Sequence, residues 1–232
     1  MSFLLINKPE GWTSFDAVAF VRNQVMKGNI ANIDKLTPDE KGNTKPKKPK
    51  VGHAGTLDPF ATGLLIIGVG RESTRNLDDF KRMKKTYIAT IKFGETSDTY
   101  DKTGKIEKTN NPKTITEEQI LEAIKSFTGK QLQTPPMFSA KKINGQRLYT
   151  LARKGIEVER QPNEIEIYKI KLLDYTWPVL KIEVQCSAGT YIRTLAHDLG
   201  QKLGTGAFCQ ELVRTQIGDY LLTNATNLDT LK

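Results

Sequence analysis

The chain has 232 residues, 38% of them hydrophobic, and its 35 Lys and Arg outnumber 26 Asp and Glu to leave a formal net charge of +9. That length can bury a sizeable core without staples, and two cysteines far apart, Cys186 and Cys209, supply neither a disulfide framework nor a zinc cluster. With no run of about 18 apolar residues and no signal-peptide layout at the start, a cytoplasmic protein is expected; its charge suits a polyanionic partner, nucleic acid ahead of an acidic surface or membrane.

Residues 3–6 read as a short apolar strand running into the turn Lys8-Pro9-Glu10-Gly11. Ser14 then caps a helix with Phe15, Val18, Ala19 and Val25 as its apolar face, stopping near Gly28. Residues 29–50 lose periodicity and end in a lysine-rich stretch from Lys41 to Lys50, an insertion that is either a solvated lysine run or an added phosphate contact. The string Val51-Gly52-His53-Ala54-Gly55-Thr56-Leu57-Asp58-Pro59-Phe60-Ala61-Thr62-Gly63 follows, ahead of a buried strand at 64–67.

Residues 87–93 alternate apolar Tyr87, Ala89, Ile91 and Phe93 with polar positions, as a half-buried strand does. Asp98 and Asp101 fall in a turn-rich loop. Thr116 and Gln119 then form a capping box before Ile120, Leu121, Ile124 and Phe127, with Gly129 closing the helix. Between 130 and 160, Lys141, Lys142, Arg147 and Arg153 are interleaved with Phe138 and Tyr149, a mixture that suits RNA or an exposed helical hairpin. Residues 165–168 and 180–186 alternate as two paired strands, Thr190 starts a helix ended by Gly204, and 208–217 is a last strand. Without repeats or regular βαβ alternation, the expected class is α+β: a mixed, largely antiparallel sheet flanked by helices.

Asp58 is a carboxylate in a loop punctuated by Gly55, Pro59 and Gly63 and carried by a rigid strand, which is how a reactive group is displayed; Asp before Pro is also ordinary turn chemistry. His53 and His197 are too few and too isolated for a metal site, and there is no Gly-rich phosphate cradle, so no metal or redox cofactor is expected.

The string around Asp58 resembles the signature of the TruB family of tRNA pseudouridine synthases. Four further segments agree in order: Asn7-Lys8-Pro9-Glu10-Gly11-Trp12-Thr13-Ser14, Lys84-Lys85-Thr86-Tyr87, Pro135-Pro136-Met137-Phe138-Ser139-Ala140, and Cys186-Ser187-Ala188-Gly189-Thr190-Tyr191-Ile192-Arg193, with Leu212-Val213-Arg214-Thr215 completing the set. The resemblance implies the pseudouridine synthase fold over 1–232 as one catalytic domain, residues 130–160 forming a thumb-like RNA-binding insertion, with no C-terminal PUA domain. It implies isomerisation of uridine 55 in the T loop of tRNA after base flipping, with Asp58 as nucleophile, Arg193 as its charge partner and Tyr87 stacked on the base. His53 would fill the vacated stack, Lys8 would neutralise RNA charge, and Leu212 would pack against the uracil. Lys141, Lys142, Arg147 and Arg153 would hold the T arm. A monomer acting on tRNA without cofactor, membrane or protein partner is expected. Two rivals are a non-catalytic tRNA-binding or folding helper on the same scaffold and a metal-dependent nuclease using Asp98 and Asp101.

Overall fold

In the computed structural model, residues 2–30, 49–110, 113–143 and 145–231 are described, so most of the lysine-rich insertion at 29–50 lies outside the described residues. The chain divides into two compact units, Met1–Met83 with Arg214–Lys232, and Lys84–Val213.

The first unit is organised around a strand whose sequence is apolar at every side-chain-bearing position after the first. Strand β1 (Ser2–Lys8), helix α1 (Ser14–Lys27), strand β2 (Val51–His53) and strand β3 (Thr62–Val69) follow in order, then short helices α2 (Arg71–Arg75) and α3 (Leu77–Arg82). β1 runs antiparallel to β3 from Ser2 opposite Val69 to Lys8 opposite Gly63, and β2 pairs with β3 over Val51–His53. Successive β3 side chains point to opposite faces, so Leu65 and Ile67 pack with Ala17, Val18 and Val21 of α1, while Leu64 and Ile66 meet Leu77 and Phe80 of α3. Each such side chain contributes about 1.5–3 kcal/mol of burial, which makes β3 a stiff support for the loop before it.

The cap of α1 differs from the expectation. Thr13 is the N-cap, in a reciprocal capping box with Asp16, and Ser14 is already helical because its hydroxyl is engaged with Leu57. The inward face is therefore Ser14, Ala17, Val18, Val21 and Gln24, whereas Phe15 is 62% exposed. Gly28 ends the helix in the left-handed region.

In the second unit, β4 (Lys85–Phe93) is followed by a two-stranded ribbon, β5 (Glu95–Ser97) with β6 (Ile106–Lys108). The turn inside that ribbon carries Tyr100 at φ 62°, the one non-glycine residue with positive φ among the described residues. Helix α4 (Glu117–Ser126) opens on the expected Thr116–Gln119 capping box, but Phe127 is its C-cap and Gly129 begins strand β7 (Gly129–Gln133). A small ribbon, β8 (Lys142–Ile143) with β9 (Gln146–Arg147), and helix α5 (Leu148–Ala152) come next, so the inserted piece starts after Gln133. Strands β10 (Asn163–Thr176) and β11 (Val179–Cys186) give the antiparallel order β4-β11-β10-β7, in which Ile91, Leu180, Ile182 and Ile167 are fully buried. Helix α6 (Ile192–Leu203) starts two residues after Thr190 with Tyr191 at its cap, and Gly204 closes it as expected. Strand β12 (Ala207–Ile217) carries the chain out of this unit; β13 (Tyr220–Leu221) and β14 (Thr226–Asn227) complete the first, with β14 parallel to β1. The expected α+β class with a mixed, mostly antiparallel sheet is what the chain adopts.

Candidate active site

Asp58 sits, partly exposed, in the loop between β2 and β3, and that loop is held at many points. The Gly11 amide donates to the Pro59 carbonyl at 2.8 Å and the Ala61 amide to the Asp58 carbonyl at 3.1 Å. Ser14 Oγ accepts from the Leu57 amide at 2.8 Å and donates to the Leu57 carbonyl at 3.1 Å. Arg214, 1% exposed, spreads its guanidinium over the Leu64 carbonyl (Nε, 2.8 Å), the Gly55 carbonyl (Nη2, 3.2 Å) and the Thr56 carbonyl (Nη1, 3.5 Å). Such charge-assisted bonds fix a short loop without needing regular structure. Gly63, at φ 103°, lets the start of β3 run against the Arg214 backbone: a Cβ there would lie 2.4 Å from the Arg214 oxygen.

Lys8, expected to face RNA, is fully buried at the end of β1, where its ammonium donates to the carbonyls of Pro9 (2.8 Å) and Trp12 (2.7 Å). Burial brings its pKa down to about 8 from 10.5; the Asp58 carboxylate is the strongest influence holding it up, and Arg214 pushes it lower. Asp58 thus has a cationic neighbour that the sequence reading assigned elsewhere. The linkage has a definite sign. Below pH 8 folded and unfolded chains both carry the Lys8 proton and the cost of burying charge is complete. From pH 8 to 10.5 only the unfolded chain retains it, so stability due to this group rises with pH. Denaturant unfolding of wild type and Lys8→Met between pH 7 and 10 should show wild type gaining on the variant as pH rises; a constant difference would refute this.

His53, at the end of β2, meets Phe15 edge-to-face at 5.4 Å, and burial lowers its pKa from the ordinary value, leaving a neutral ring at pH 7. The two rings edge an open cleft of about 690 Å³ that also takes in Arg22, Lys50, Gly55 and Lys81 and has no carboxylate among its lining residues. Asp58 does not line it.

In the second unit Arg193 occupies the first turn of α6 and is 2% exposed. Its Nη1 lies 2.7 Å from the Thr99 carbonyl and 3.2 Å from Asp101 Oδ2, and its Nη2 donates to the Phe138 carbonyl at 2.8 Å. Asp101 is itself 4% exposed; its Oδ1 accepts from the hydroxyls of Thr99 (2.8 Å) and Thr103 (2.6 Å) and from the Thr103 amide (2.9 Å). Asp101, expected in a turn-rich loop and as a carboxylate of the nuclease alternative, is a buried counter-ion of Arg193. Asp98 accepts from the Lys105 amide at 2.8 Å, and among the described residues no group of three or more His, Cys, Asp or Glu could hold a metal. The Asp101 carboxylate is thus taken up by Arg193 and by its own turn.

Tyr87 is partly exposed on β4, opposite Val184 of β11, and Leu212 is buried on β12 at 6% exposure. Of the four cations expected to hold the T arm, Lys142, Arg147 and Arg153 are exposed, while Lys141 donates to Asn163 Oδ1 at 2.9 Å. Arg147 and Arg153 both lie over the Tyr149 ring, 5.8 and 5.6 Å from its centroid, and Arg147 also donates to the Tyr149 hydroxyl. That is a cation-aromatic platform on a small ribbon and helix, not a helical hairpin. No helix among the described residues is long and apolar enough to cross a membrane.

The arrangement of strands belongs to the pseudouridine synthases in shape: a chain of a crystallised Cbf5–Nop10–Gar1 complex superposes with a TM-score of 0.69 at 25% identity, covering 98% of this chain and 52% of that one. A chain of the archaeal box H/ACA Nop10–Cbf5 complex gives 0.65 at 23% identity, over 99% of this chain and 52% of that one, so this chain spans about half the length of either. Residues 41–192 match the TruB family pseudouridylate synthase N-terminal domain and residues 193–232 the tRNA pseudouridylate synthase B C-terminal domain. Proteins named tRNA pseudouridine synthase B are similar along nearly the whole chain: that of Dehalococcoides mccartyi is 44% identical over 229 residues, 99% of this chain and 69% of its own length. That of Parabacteroides distasonis is 46% identical over 219 residues, 94% of this chain and 86% of its own. The chain belongs to the TruB family of pseudouridine synthases.

Proposed function

We propose that this pseudouridine synthase acts on tRNA and converts uridine 55 of the T loop to pseudouridine, with Asp58 as the nucleophilic carboxylate. The observation that carries the reading is the Asp58 loop: a partly exposed carboxylate on a clamped backbone, with the buried Lys8 ammonium among the charges acting on it. The reaction breaks C1′–N1, joins C1′ to C5, releases the C5 proton to water and protonates N1, with no change in oxidation state. A uridine stacked in a folded loop hides that bond, so the nucleotide is extruded at a cost of a few kcal/mol of unstacking.

In this reading Tyr87 stacks on the extruded base, His53 takes its place in the loop, and Leu212 packs against the uracil. Arg193 supports the ionised carboxylate, itself oriented by Asp101 and Thr99. Lys8 acts on Asp58 and not on phosphate, because its ammonium is enclosed. Lys142, Arg147 and Arg153 with Tyr149 meet the T-arm backbone and an unpaired base, a role that exposed cations beside a ring can fill. No cofactor takes part.

The test is a tRNA transcript tritiated at C5 of its uridines. Wild-type protein should release one equivalent of tritium per tRNA, and a transcript with cytidine at position 55 should release none. Release from the second transcript would exclude the assignment of position, and binding without any release would favour the folding-helper alternative.

A further inference from the structure

Tyr100 is held in a conformation that L side chains avoid, with φ 62°, and its ring is stacked on His197 with centroids 3.9 Å apart and planes 13° from parallel. The residues on either side of it are the two that address one nitrogen of Arg193: the Thr99 carbonyl at 2.7 Å and Asp101 Oδ2 at 3.2 Å. Arg193 and His197 are four residues apart on α6 and so share one face of the helix. The same face therefore meets the same turn twice, once through charge and once through a ring. His197 Nδ1 is buried without a hydrogen-bond partner, and the contact the residue makes with this turn is the face of its ring.

A left-handed residue between Thr99 and Asp101 folds the turn so that a carbonyl before it and a carboxylate after it converge. In the ordinary right-handed region φ would change by more than about 100°, and both acceptors could not reach one nitrogen. Glycine would adopt this conformation without strain, yet the position holds a bulky ring, and the stack is of the right order to offset the strain. The main-chain ties of Tyr100, its amide to the Ser97 carbonyl at 3.1 Å and its carbonyl from the Cys209 amide at 2.9 Å, hold the two ends of the turn but do not choose its hand. The geometry points to Tyr100, clamped by His197, as a positioning residue for the arginine of the pseudouridylation site. This rests on the reading that Arg193 serves catalysis.

Steady-state tritium release and thermal unfolding of Tyr100→Ala, Tyr100→Phe, His197→Ala, His197→Phe and Arg193→Lys separate the possibilities. Tyr100→Ala and His197→Ala should each lower kcat by about tenfold or more with KM within about twofold, as expected for a misplaced catalytic group. The double variant should be no worse than the poorer single, since both remove one stack. Tyr100→Phe and His197→Phe, which keep the ring faces, should recover kcat to within about threefold of wild type. His197→Ala removes the stack without changing residue 100 itself, and so gives an answer even if Tyr100→Ala fails to fold. A loss of thermal stability with kcat per folded enzyme unchanged would overturn the inference. Full activity of Arg193→Lys would instead remove the underlying reading, and this one with it.

Discussion

Asp58→Asn should abolish tritium release from C5-labelled tRNA, by on the order of 10⁴-fold or more, while tRNA affinity stays within a few-fold of wild type. Asparagine keeps the size of the side chain and removes only its charge and nucleophilicity. The main-chain ties of the loop should persist, because they run to amides and carbonyls and not to the carboxylate. The Arg214 bonds go to Leu64, Gly55 and Thr56, and Ser14 engages Leu57. A second effect accompanies the first. Asp58 is the strongest influence holding up the pKa of Lys8, so in the variant that pKa should fall further below about 8, which ¹⁵N-detected titration of the lysine amine would register. A Lys8 midpoint indifferent to the substitution would mean that the two groups do not act on one another, and retained release would remove Asp58 from the chemistry.

The largest structural effect should come from a single methyl group. At Gly63 an added Cβ would meet the Arg214 backbone, with the oxygen at 2.4 Å, the nitrogen at 2.8 Å and the carbonyl carbon at 3.1 Å. These are main-chain atoms that cannot turn aside as a flexible side chain would, and φ 103° is itself unfavourable for alanine. Relief requires the start of β3 and the end of β12 to part where Arg214 reaches the loop. Gly63→Ala should therefore cost at least about 3 kcal/mol, and on a chain of this size lower Tm by about 6–12 °C. The neighbouring Gly55, whose Cβ would find only the end of the Arg214 side chain at 3.7 Å, has much less to lose in packing, though its φ of 96° still strains it. A Gly63→Ala protein melting within about 2 °C of wild type would show that the close approach is not real.

Local elements were legible because local patterns specify them. The alternation over β4, the Thr116–Gln119 box before α4, and Gly28 and Gly204 at helix ends all appear where propensity and period put them. The α1 cap was misplaced by one residue because Ser14 and Thr13 are equally good caps in isolation. Only the distant Leu57 decides that the serine hydroxyl is spent elsewhere. Asp58 stood out through its motif, but the groups around it did not. Arg214 reaches backbone oxygens some 150 positions away in sequence, and Asp101 pairs with a guanidinium on another element. No spacing rule foresees either. Lys8 shows the opposite failure: a lysine beside Pro-Glu-Gly reads as a surface turn, and its enclosure follows from β1 continuing to that residue against β3.

The polar holds on the segment from Gly55 to Leu64, from Arg214, Ser14 and Gly11 or from within the segment itself, run to amides and carbonyls, while Leu57, Phe60, Ala61 and Leu64 anchor it through buried side chains. The polar part of that grip does not read side chains. The segment therefore behaves as a socket whose main-chain ties do not depend on the residue at position 58, and a different nucleophile mounted there would have to answer to the Lys8 ammonium.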